Sequence, residues 1–250
     1  MFSLGKRVLL SGLVAAAALG AGRVDAAILS LDFNGQNGPT ETGFTAFSTE
    51  AGGTLSSTTL SQAYTTTEVT SGTVTVAISS GSLLSRDRVT NNAATIVDSG
   101  AFTYAELYRD FFAGADVTNN AAQPLDLSIT GLNQNTPYSL TLYALDATNN
   151  GGNAPTTFTF TETTGGASNP IGTISETGFQ QQPTSNGQFS LTVTLTSDST
   201  GQIKVRELSS TSGQQKRALL NGIELSAAVP EPGSVALLGL AGATLLRRRR

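Results

Sequence analysis

Residues 125–142 read LDLSITGLNQNTPYSLTL, and this stretch decides the fold class. Apolar residues alternate with polar ones on both sides of a central turn: Leu125, Leu127 and Ile129 before it, and Tyr138, Leu140 and Leu142 after it. Alternation with a period of two is typical of a β-strand that has one face on a core and the other in water. The stretch therefore predicts two strands joined by a turn.

The same alternation recurs along the chain, with Gly- and Asn-rich turn signals between the repeats. The further predicted strands are Leu29–Phe33, Thr73–Ser79, Thr156–Thr161, Phe189–Leu195, Gln202–Leu208 and Ala218–Leu225. Many short strands without intervening helices predict an all-β fold, an antiparallel β-sandwich that resembles a jelly roll. The threonine-rich region 54–73 is open to two interpretations, a surface hairpin or a site for O-linked sugar.

One segment departs from this pattern. Tyr104, Leu107, Tyr108 and Phe111 recur at helical spacing, so Thr103–Phe112 is predicted to be one short helix that closes an end of the sandwich. Thr103, with a glutamate three residues later, has the pattern of a capping box.

Two short motifs resemble those of galactose-binding-like and malectin-like β-sandwiches. The first is the Gly131-Leu132 turn followed by the strand from Tyr138, and the second is Leu220–Leu225, which resembles a closing strand beside the first strand. The resemblance implies the sandwich fold. It carries no specific activity, because such folds host many functions.

The N-terminal residues 1–26 read as a signal peptide that forms a helix. Lys6 and Arg7 precede an apolar run from Val8 to Gly22, and small residues follow it, which is the order that signal peptidase recognises. The predicted cleavage site is formed by Val24, Ala26 and Ala27. Removal of this segment leaves residues 27–228 as the predicted secreted domain.

The C-terminal residues 229–250 combine three features in order: Val229, Pro230, Glu231, Pro232 and Gly233; an apolar run over residues 234–246; and Arg247, Arg248, Arg249 and Arg250. At helical rise the apolar run reaches ~20 Å, short of the ~30 Å hydrocarbon layer. Long arginine side chains extend a short membrane helix, and an arginine block suits the cytoplasmic face. We therefore predict a transmembrane helix over 234–246.

This tail resembles the PEP-CTERM sorting signal of exported bacterial proteins. The resemblance implies recognition, and cleavage near Pro230–Pro232, by a membrane transpeptidase of the exosortase type. It also implies export through the inner membrane to the envelope, surface or extracellular matrix of a Gram-negative bacterium. An ordinary C-terminal anchor with a proline-containing boundary is the alternative.

Composition excludes several functions. Residues 27–229 contain sixteen acidic and seven basic residues, a net charge of −9, which disfavours nucleic acid as a partner. The chain has no cysteine and no histidine. The chain therefore cannot form disulfides, and it cannot use thiol catalysis, a Ser-His-Asp triad or an imidazole metal site.

Arg109, beside the aromatic side chains of Tyr104 and Tyr108, is the candidate ligand-binding group. In one interpretation the arginine faces a sugar and one of the tyrosines forms a stacking platform. In the other, Arg109 and Asp110 form an exposed ion pair on a helix whose aromatic residues are buried, and the second interpretation is favoured.

Carboxylates are the remaining acid and base candidates: Asp32, Asp87, Asp98, Glu106, Asp110, Asp116 and Asp146. A glycosidase needs two of them ~5–9.5 Å apart across a cleft, but no spacing in the sequence selects a pair. Asp32 with Asn34 and Asn37, or Asp146 with Asn149 and Asn150, could supply oxygen ligands to a metal. Turn formation accounts for both groups, so the sequence predicts no metal and no cofactor.

These observations favour a non-enzymatic exported surface or matrix protein that binds extracellular polysaccharide. A carbohydrate-active enzyme that uses carboxylates is the alternative. Ice binding would require a flat face of regularly repeated threonines, which the strand patterns do not show.

Overall fold

The computed structural model describes residues 27–35, 38–48, 53–88, 96–116, 121–146, 156–176, 182–210 and 217–228. Residues 27–228 form one compact unit. The predicted signal helix and the predicted tail with its membrane helix lie outside the described residues. Among the residues that are described, no helix has the length and apolar character needed to cross a membrane.

Sixteen strands occur within these ranges. They are β1 (Ala27–Asp32), β2 (Thr45–Ala46), β3 (Gly53–Thr54), β4 (Thr59–Thr65), β5 (Thr73–Ser79), β6 (Leu83–Asp87), β7 (Asp110–Asp116), β8 (Ala121–Ala122), β9 (Leu125–Thr130), β10 (Pro137–Tyr143), β11 (Thr156–Glu162), β12 (Asn169–Glu176), β13 (Ser190–Thr196), β14 (Ile203–Ser210), β15 (Ala218–Leu220) and β16 (Gly222–Ala227). The stretches with alternating apolar residues form strands, and the predicted all-β fold is confirmed. Ala218–Leu225, predicted as one strand, is divided at Asn221 into β15 and β16.

The described strands form three sheets. A five-stranded sheet has the order β13-β10-β16-β1-β2, and a six-stranded sheet has the order β12-β11-β14-β9-β5-β4. A second five-stranded sheet has the order β15-β7-β6-β3, with β8 as its fifth strand beside β7. All described strand pairs are antiparallel except β1 with β2.

A single hydrophobic cluster joins the inner faces of the sheets. One sheet contributes alternate residues of β10 and β16, such as Leu140 and Ile223, which are fully buried. Another sheet contributes alternate residues of β9 and β11, such as Ile129 and Phe160, which are also fully buried. Outward residues of the same strands are polar, so burial follows the period of two in the sequence. This is the predicted antiparallel β-sandwich.

The first and last strands are neighbours. β1 pairs with β16, and Ala27 lies opposite Ser226. The two ends of the unit therefore emerge side by side, and the closing strand returns beside the first, as the motif at 220–225 implies.

The predicted helix at Thr103–Phe112 is wrong. Residues 105–109 form a turn, and β7 begins at Asp110. The amides of Tyr108 and Arg109 donate to the carbonyls of Tyr104 and Glu106, which makes one helix-like turn. Pairing of β7 with β6 and β15 then extends the chain, because tertiary hydrogen bonds outweigh the preference of a single helical turn. Thr103 does not cap a helix; its amide donates to Asn186 Oδ1 at 2.7 Å.

The region 54–73 contains β4, which forms a hairpin with β5, and the short β3, which pairs with β6. The hairpin interpretation of this region is thus the one seen in the structure. The predicted turn after β9 also forms, with Gly131 at a φ of 83°.

Candidate functional site

The three predicted ligand-binding residues lie near one another in the segment before β7, but they are not equally accessible. Tyr108 is fully buried, and its hydroxyl donates to the carbonyl of Asn186 at 3.2 Å. Its ring packs against Phe102 and Tyr143, so it offers no face to a sugar. Tyr104 is half-buried and remains available at the surface.

Arg109 does not form the predicted ion pair with Asp110. Its guanidinium donates to both carboxylate oxygens of Asp87, at 3.0 and 2.8 Å, and to Glu106 at 3.4 Å. These bonds, above all the side-chain bonds from Asp87, raise the pKa of Arg109. The arginine therefore ties the turn at residues 105–109 to β6 and is not presented to a ligand.

Three aromatic side chains form what we call the aromatic corner: Phe44, Tyr104 and Tyr143. Phe44 and Tyr104 are both half-buried and meet edge to face, with ring centroids 5.3 Å apart. Tyr143 is buried beneath them, 6.2 Å from Phe44 and 6.0 Å from Tyr104. The corner presents two rings at the surface on a buried base.

The outward side of the sheet β13-β10-β16-β1-β2 carries seven hydroxyl side chains and one glutamate, and we call it the hydroxyl face. Its members are Ser30, Ser139, Thr141, Ser190, Thr192, Thr194, Glu224 and Ser226. The hydroxyls of Thr141 and Thr192 are hydrogen-bonded across β10 and β13 at 2.9 Å. Tyr143 donates to Glu224 Oε2 at 2.7 Å, so the hydroxyl face is continuous with the aromatic corner.

Glu41 holds the turn at residues 105–109 in place. Its Oε2 accepts hydrogen bonds from the amides of Glu106 and Leu107, at 3.2 and 3.4 Å. Its own amide donates to Asp32 Oδ2 at 2.7 Å. Burial raises the pKa of Glu41, and the hydrogen bonds that its carboxylate accepts from the amides of Thr42, Leu107 and Glu106 oppose the rise. Glu41 and Phe44 were not among the predicted site residues, since no periodic signal marks the loop that carries them.

A group of buried oxygen-bearing side chains lies where β1 ends beside β6 and β7; we call Asp32, Asn34, Ser85 and Asp110 the oxygen cluster. Asp32, Ser85 and Asp110 are fully buried, and Asn34 is nearly so. Burial, and then the nearby carboxylate of Asp87, raise the pKa of Asp110 to about 9. Burial also raises the pKa of Asp32 to about 7, against the amide bond from Glu41.

A second buried charged group is structural. Arg88 forms a buried bidentate ion pair with Asp146 and lies 5.0 Å above the ring of Phe111. The amide of Asp146 donates to Glu176, which is also buried. Burial, and then the charge of Asp146, raise the pKa of Glu176 to about 8.

Three of the carboxylates that were candidates for catalysis lie close together, since Asp87 is opposite Asp110 in the β6–β7 pair and the charge of Asp32 also acts on Asp110. Asp32, Asp87, Asp110 and Asp146 are buried, whereas Asp98 and Glu106 lie nearer the surface. Asp98 accepts a hydrogen bond from the amide of Ala105. Within the described ranges, no group of three or more Asp or Glu side chains has metal-binding spacing.

The C-terminal residues match a known family model. Residues 228–250 match the model of the PEP-CTERM protein-sorting motif, which confirms the resemblance of the tail. The chain is thus an exported bacterial β-sandwich protein that ends in a PEP-CTERM sorting motif. A search of curated proteins gave no match to its sequence.

Several solved structures are similar to this chain at low identity. The ANX2 ectodomain from Arabidopsis thaliana has 12% identity and a TM-score of 0.42, covering 82% of this chain and 51% of that one. The ANXUR1 extracellular domain from the same plant has 12% identity and a TM-score of 0.37, covering 58% and 39%.

The CBM22-1–GH10 modules of Clostridium thermocellum xylanase 10B, complexed with xylohexaose, have 9% identity and a TM-score of 0.31, covering 82% of this chain and 29% of that one. This chain therefore spans about half or less of the length of these structures. The neighbours are β-sandwich proteins of the malectin-like and galactose-binding-like types.

Proposed function

We propose that this protein is a non-enzymatic component of the bacterial cell surface or extracellular matrix that binds polysaccharide. Export and sorting follow from the PEP-CTERM motif. In the proposal an exosortase-type transpeptidase of a Gram-negative inner membrane cleaves the tail near Pro230–Pro232, and signal peptidase removes residues 1–26. The folded unit 27–228 then performs the binding.

The observation that carries the binding proposal is the continuity of the hydroxyl face with the aromatic corner. Sugars are recognised by hydrogen bonds to their hydroxyls and by packing of their apolar ring faces on aromatic side chains. The hydroxyl face offers donors and acceptors along several strands, and Phe44 and Tyr104 offer ring surface at its end. An extended polymer could contact both.

The charge of the protein favours an uncharged polysaccharide. Residues 27–229 carry a net charge of −9, and Glu224 lies on the hydroxyl face itself. A polymer of uronic acids or sulfated sugars would be repelled by this charge.

The arrangement of the acids supports a role without catalysis. Asp32 and Asp110 are both fully buried, whereas a glycosidase presents its two carboxyl groups on either side of a substrate-filled cleft. Gly38 approaches the carboxylate of Asp110 so closely that a β-carbon there would lie 1.7 Å from Oδ2. Both carboxylate oxygens of the neighbouring Asp87 accept hydrogen bonds from Arg109. The burial of these acids is the observation that supports a binding role over hydrolysis.

Affinity electrophoresis in gels that contain β-glucan, mannan, dextran or the polymer secreted by the producing cells would test the binding. We expect retardation of the wild type on at least one uncharged polymer. Tyr104→Ala and Thr192→Glu should each weaken binding by about tenfold, which is 1.4 kcal/mol, because one removes a ring and the other places a charge on the hydroxyl face.

Thr173→Glu is the matched control, since Thr173 is also exposed on an edge strand but belongs to the six-stranded sheet. It should bind like the wild type. Equal loss in Thr173→Glu and Thr192→Glu, or no retardation of the wild type on any polymer, would contradict the binding proposal.

Sorting is tested separately by the mass of the protein recovered from the producing cells. The wild type should lack both residues 1–26 and the tail from near Pro232 onward. A variant with Pro230 and Pro232 changed to alanine should retain its tail and stay in the inner membrane. A wild-type mass that includes Arg250 would contradict cleavage without bearing on polysaccharide binding.

A further inference from the structure

Three arginines lie near one another at the sheet β15-β7-β6-β3, and we call Arg86, Arg88 and Arg217 the arginine cluster. Arg88 is buried and forms its bidentate ion pair with Asp146. Arg86 and Arg217 are half-buried. Within the described ranges, neither of these two guanidinium groups forms a hydrogen bond or an ion pair. The cluster therefore holds two positive charges that its own residues do not balance.

Part of this unbalanced charge is buried. Nη1 of Arg217 is a buried atom without a hydrogen-bond partner among the described residues. A guanidinium presents five N–H donors, and a donor that is buried and unpaired loses its hydration without compensation. Because folded proteins rarely keep such a group unsatisfied, the position of Arg217 points to an acceptor that the chain itself does not provide.

The register of the strands places the arginine cluster on one face of its sheet. Arg86 lies opposite Phe111 in the β6–β7 pair, and opposite residues point to the same face. Leu219 is on that face too, since it pairs with the residue two places after Phe111 on β7. Arg217 comes two residues before Leu219, and the guanidinium of Arg88 lies 5.0 Å from the ring centroid of Phe111. The three arginines are thus directed to the face that contains Phe111.

The positive charges of the cluster act on one another. Burial lowers the pKa of Arg217, and the charge of Asp146 opposes this shift. The charges of Arg88 and Arg86 lower the same pKa further. Burial, and then the charge of Arg88, also lower the pKa of Arg86. An anion bound at the cluster would relieve both the repulsion and the loss of hydration.

The neighbouring acids do not supply that anion. Glu207 accepts a hydrogen bond from the amide of Leu219 at 2.8 Å, and Glu176 is buried beside Asp146. Burial raises the pKa of both glutamates, that of Glu176 to about 8, so both retain a proton at pH 7. The chain segments that adjoin these residues contain no aspartate or glutamate; they are residues 89–95, 147–155, 177–181 and 211–216.

We propose that the arginine cluster binds a phosphate group, with the guanidinium groups of Arg86 and Arg217 as its ligands. Arg88, held by Asp146, forms the base of the site. A guanidinium donates two parallel N–H bonds to the oxygens of a phosphate, which fixes both partners in one plane. A doubly charged phosphate balances the two unpaired arginines, whereas a single carboxylate would balance only one of them.

This site is separate from the proposed polysaccharide-binding surface. The hydroxyl face belongs to the sheet β13-β10-β16-β1-β2, whereas Arg86 lies on β6 and Arg217 directly precedes β15. Residues 27–229 carry a net charge of −9, so the domain as a whole repels anions and only a local group of cations can hold one. Either proposal can therefore fail while the other stands.

The test is calorimetric titration, with inorganic phosphate at pH 7, of the protein recovered from the producing cells and freed of phosphate. Thermal unfolding with and without phosphate accompanies it. We expect one phosphate per chain, with a Kd below about 10⁻³ M. A hundredfold excess over Kd should raise Tm by several degrees. Sodium chloride at the same ionic strength, and glucuronate at the same concentration, should raise Tm much less.

Glucose 6-phosphate distinguishes two sources of the phosphate group. Binding as tight as that of inorganic phosphate would indicate a phosphorylated sugar as the ligand. Binding of inorganic phosphate alone would indicate the free ion. Both results support a phosphate site at the arginine cluster.

Arg217→Met should weaken phosphate binding at least tenfold. Without phosphate this variant should be at least as stable as the wild type, because it removes a partly buried charge that has no partner. Arg206→Met, which removes an exposed partner of Asp126, is the matched control and should keep the full response. If Arg217→Met does not fold, Arg86→Gln should weaken binding severalfold.

Three results would overturn the proposal. The first is a wild type that does not bind phosphate. The second is an equal effect of Arg217→Met and Arg206→Met on phosphate binding. The third is a rise in Tm with chloride or glucuronate that matches the rise with phosphate.

Discussion

Asn221 interrupts the chain between β15 and β16, where it is fully buried and satisfies groups on three other segments. Its side-chain amide donates to the carbonyl of Asp110 at 2.7 Å, and its backbone carbonyl accepts from the amide of Phe33 at 2.8 Å. Its Oδ1 accepts from the amide of Leu145 at 2.7 Å, and its backbone amide donates to the carbonyl of Tyr143. The side chain and backbone of this one residue thus replace strand pairing at a place where three strands end.

We expect Asn221→Ala to lower the free energy of unfolding by about 2–5 kcal/mol, because it leaves a buried amide of Leu145 and a buried carbonyl of Asp110 unpaired. Urea denaturation monitored by tyrosine fluorescence measures this. Asn169→Ala, at an exposed position, is the matched control and should change stability by less than about 0.5 kcal/mol. Equal effects would show that the buried bonds of Asn221 contribute nothing.

Glu176 makes stability depend on pH. Its folded pKa of about 8 lies above the usual value of 4.5, so between these values the folded protein retains a proton that the unfolded chain has released. Its contribution to stability is therefore complete below about pH 4.5 and is lost as pH rises toward 8.

Glu176→Gln should remove this contribution, since glutamine can accept the same amide bond from Asp146 without a charge. The measurement is denaturation at a series of pH values. The free energy of unfolding of the variant, relative to that of the wild type, should increase by a few kcal/mol between pH 5 and 8. Glu68→Gln, at an exposed carboxylate, is the control. A wild type and a Glu176→Gln variant with parallel pH profiles would contradict the assignment.

At the scale of the element, the turn between β9 and β10, which lie in different sheets, shows why a turn position requires glycine. Gly131 has a φ of 83°, and a β-carbon there would lie 2.2 Å from the carbonyl oxygen of Thr73. Gly43 has a similar φ of 88° with nothing within 4 Å of the same position. Substitution at Gly43 therefore measures the cost of the left-handed backbone alone. Substitution at Gly131 adds the cost of a steric clash.

We expect Gly43→Ala to lower the free energy of unfolding by about 1–2 kcal/mol, the cost of a left-handed residue with a side chain. Gly131→Ala should cost clearly more, about 3 kcal/mol or above, because the strand backbone at Thr73 must also move. Thermal unfolding of both variants is the measurement. Equal losses would show that the turn at Gly131 accommodates the methyl group without a steric clash.

The elements that could be predicted are those whose pattern is local. Strands with alternating apolar residues, such as β9 and β10, were found because one of their faces is buried and the other is wet. β7 was missed because its residues, including Phe111 and Phe112, are buried on both faces, so alternation is lost. The spacing of Tyr104, Leu107 and Tyr108 fits one turn of helix equally well, and only pairing with β6 decides against it.

At the scale of the whole molecule, the candidate sites depend on contacts that the sequence does not reveal. Tyr104 was a candidate because aromatics cluster near it, but its partner Phe44 belongs to a loop that lies distant in the sequence. The arginine cluster likewise combines β6 with the residue before β15. The sorting tail could be identified from sequence because its signal is contiguous and is read linearly by the export machinery.

The pairing of Ala27 with Ser226 has a mechanical consequence. Tension applied at residues 27 and 228 would open the β1–β16 pair one hydrogen bond at a time, like a zipper. Tension applied at residues 27 and 222 would instead load all of its bonds together in shear, because Asp32 lies opposite Gly222 at the other end. In optical tweezers we expect the β1–β16 pair to rupture at a severalfold lower force when the domain is pulled at residues 27 and 228 than when it is pulled at residues 27 and 222. Similar forces in both geometries would contradict this.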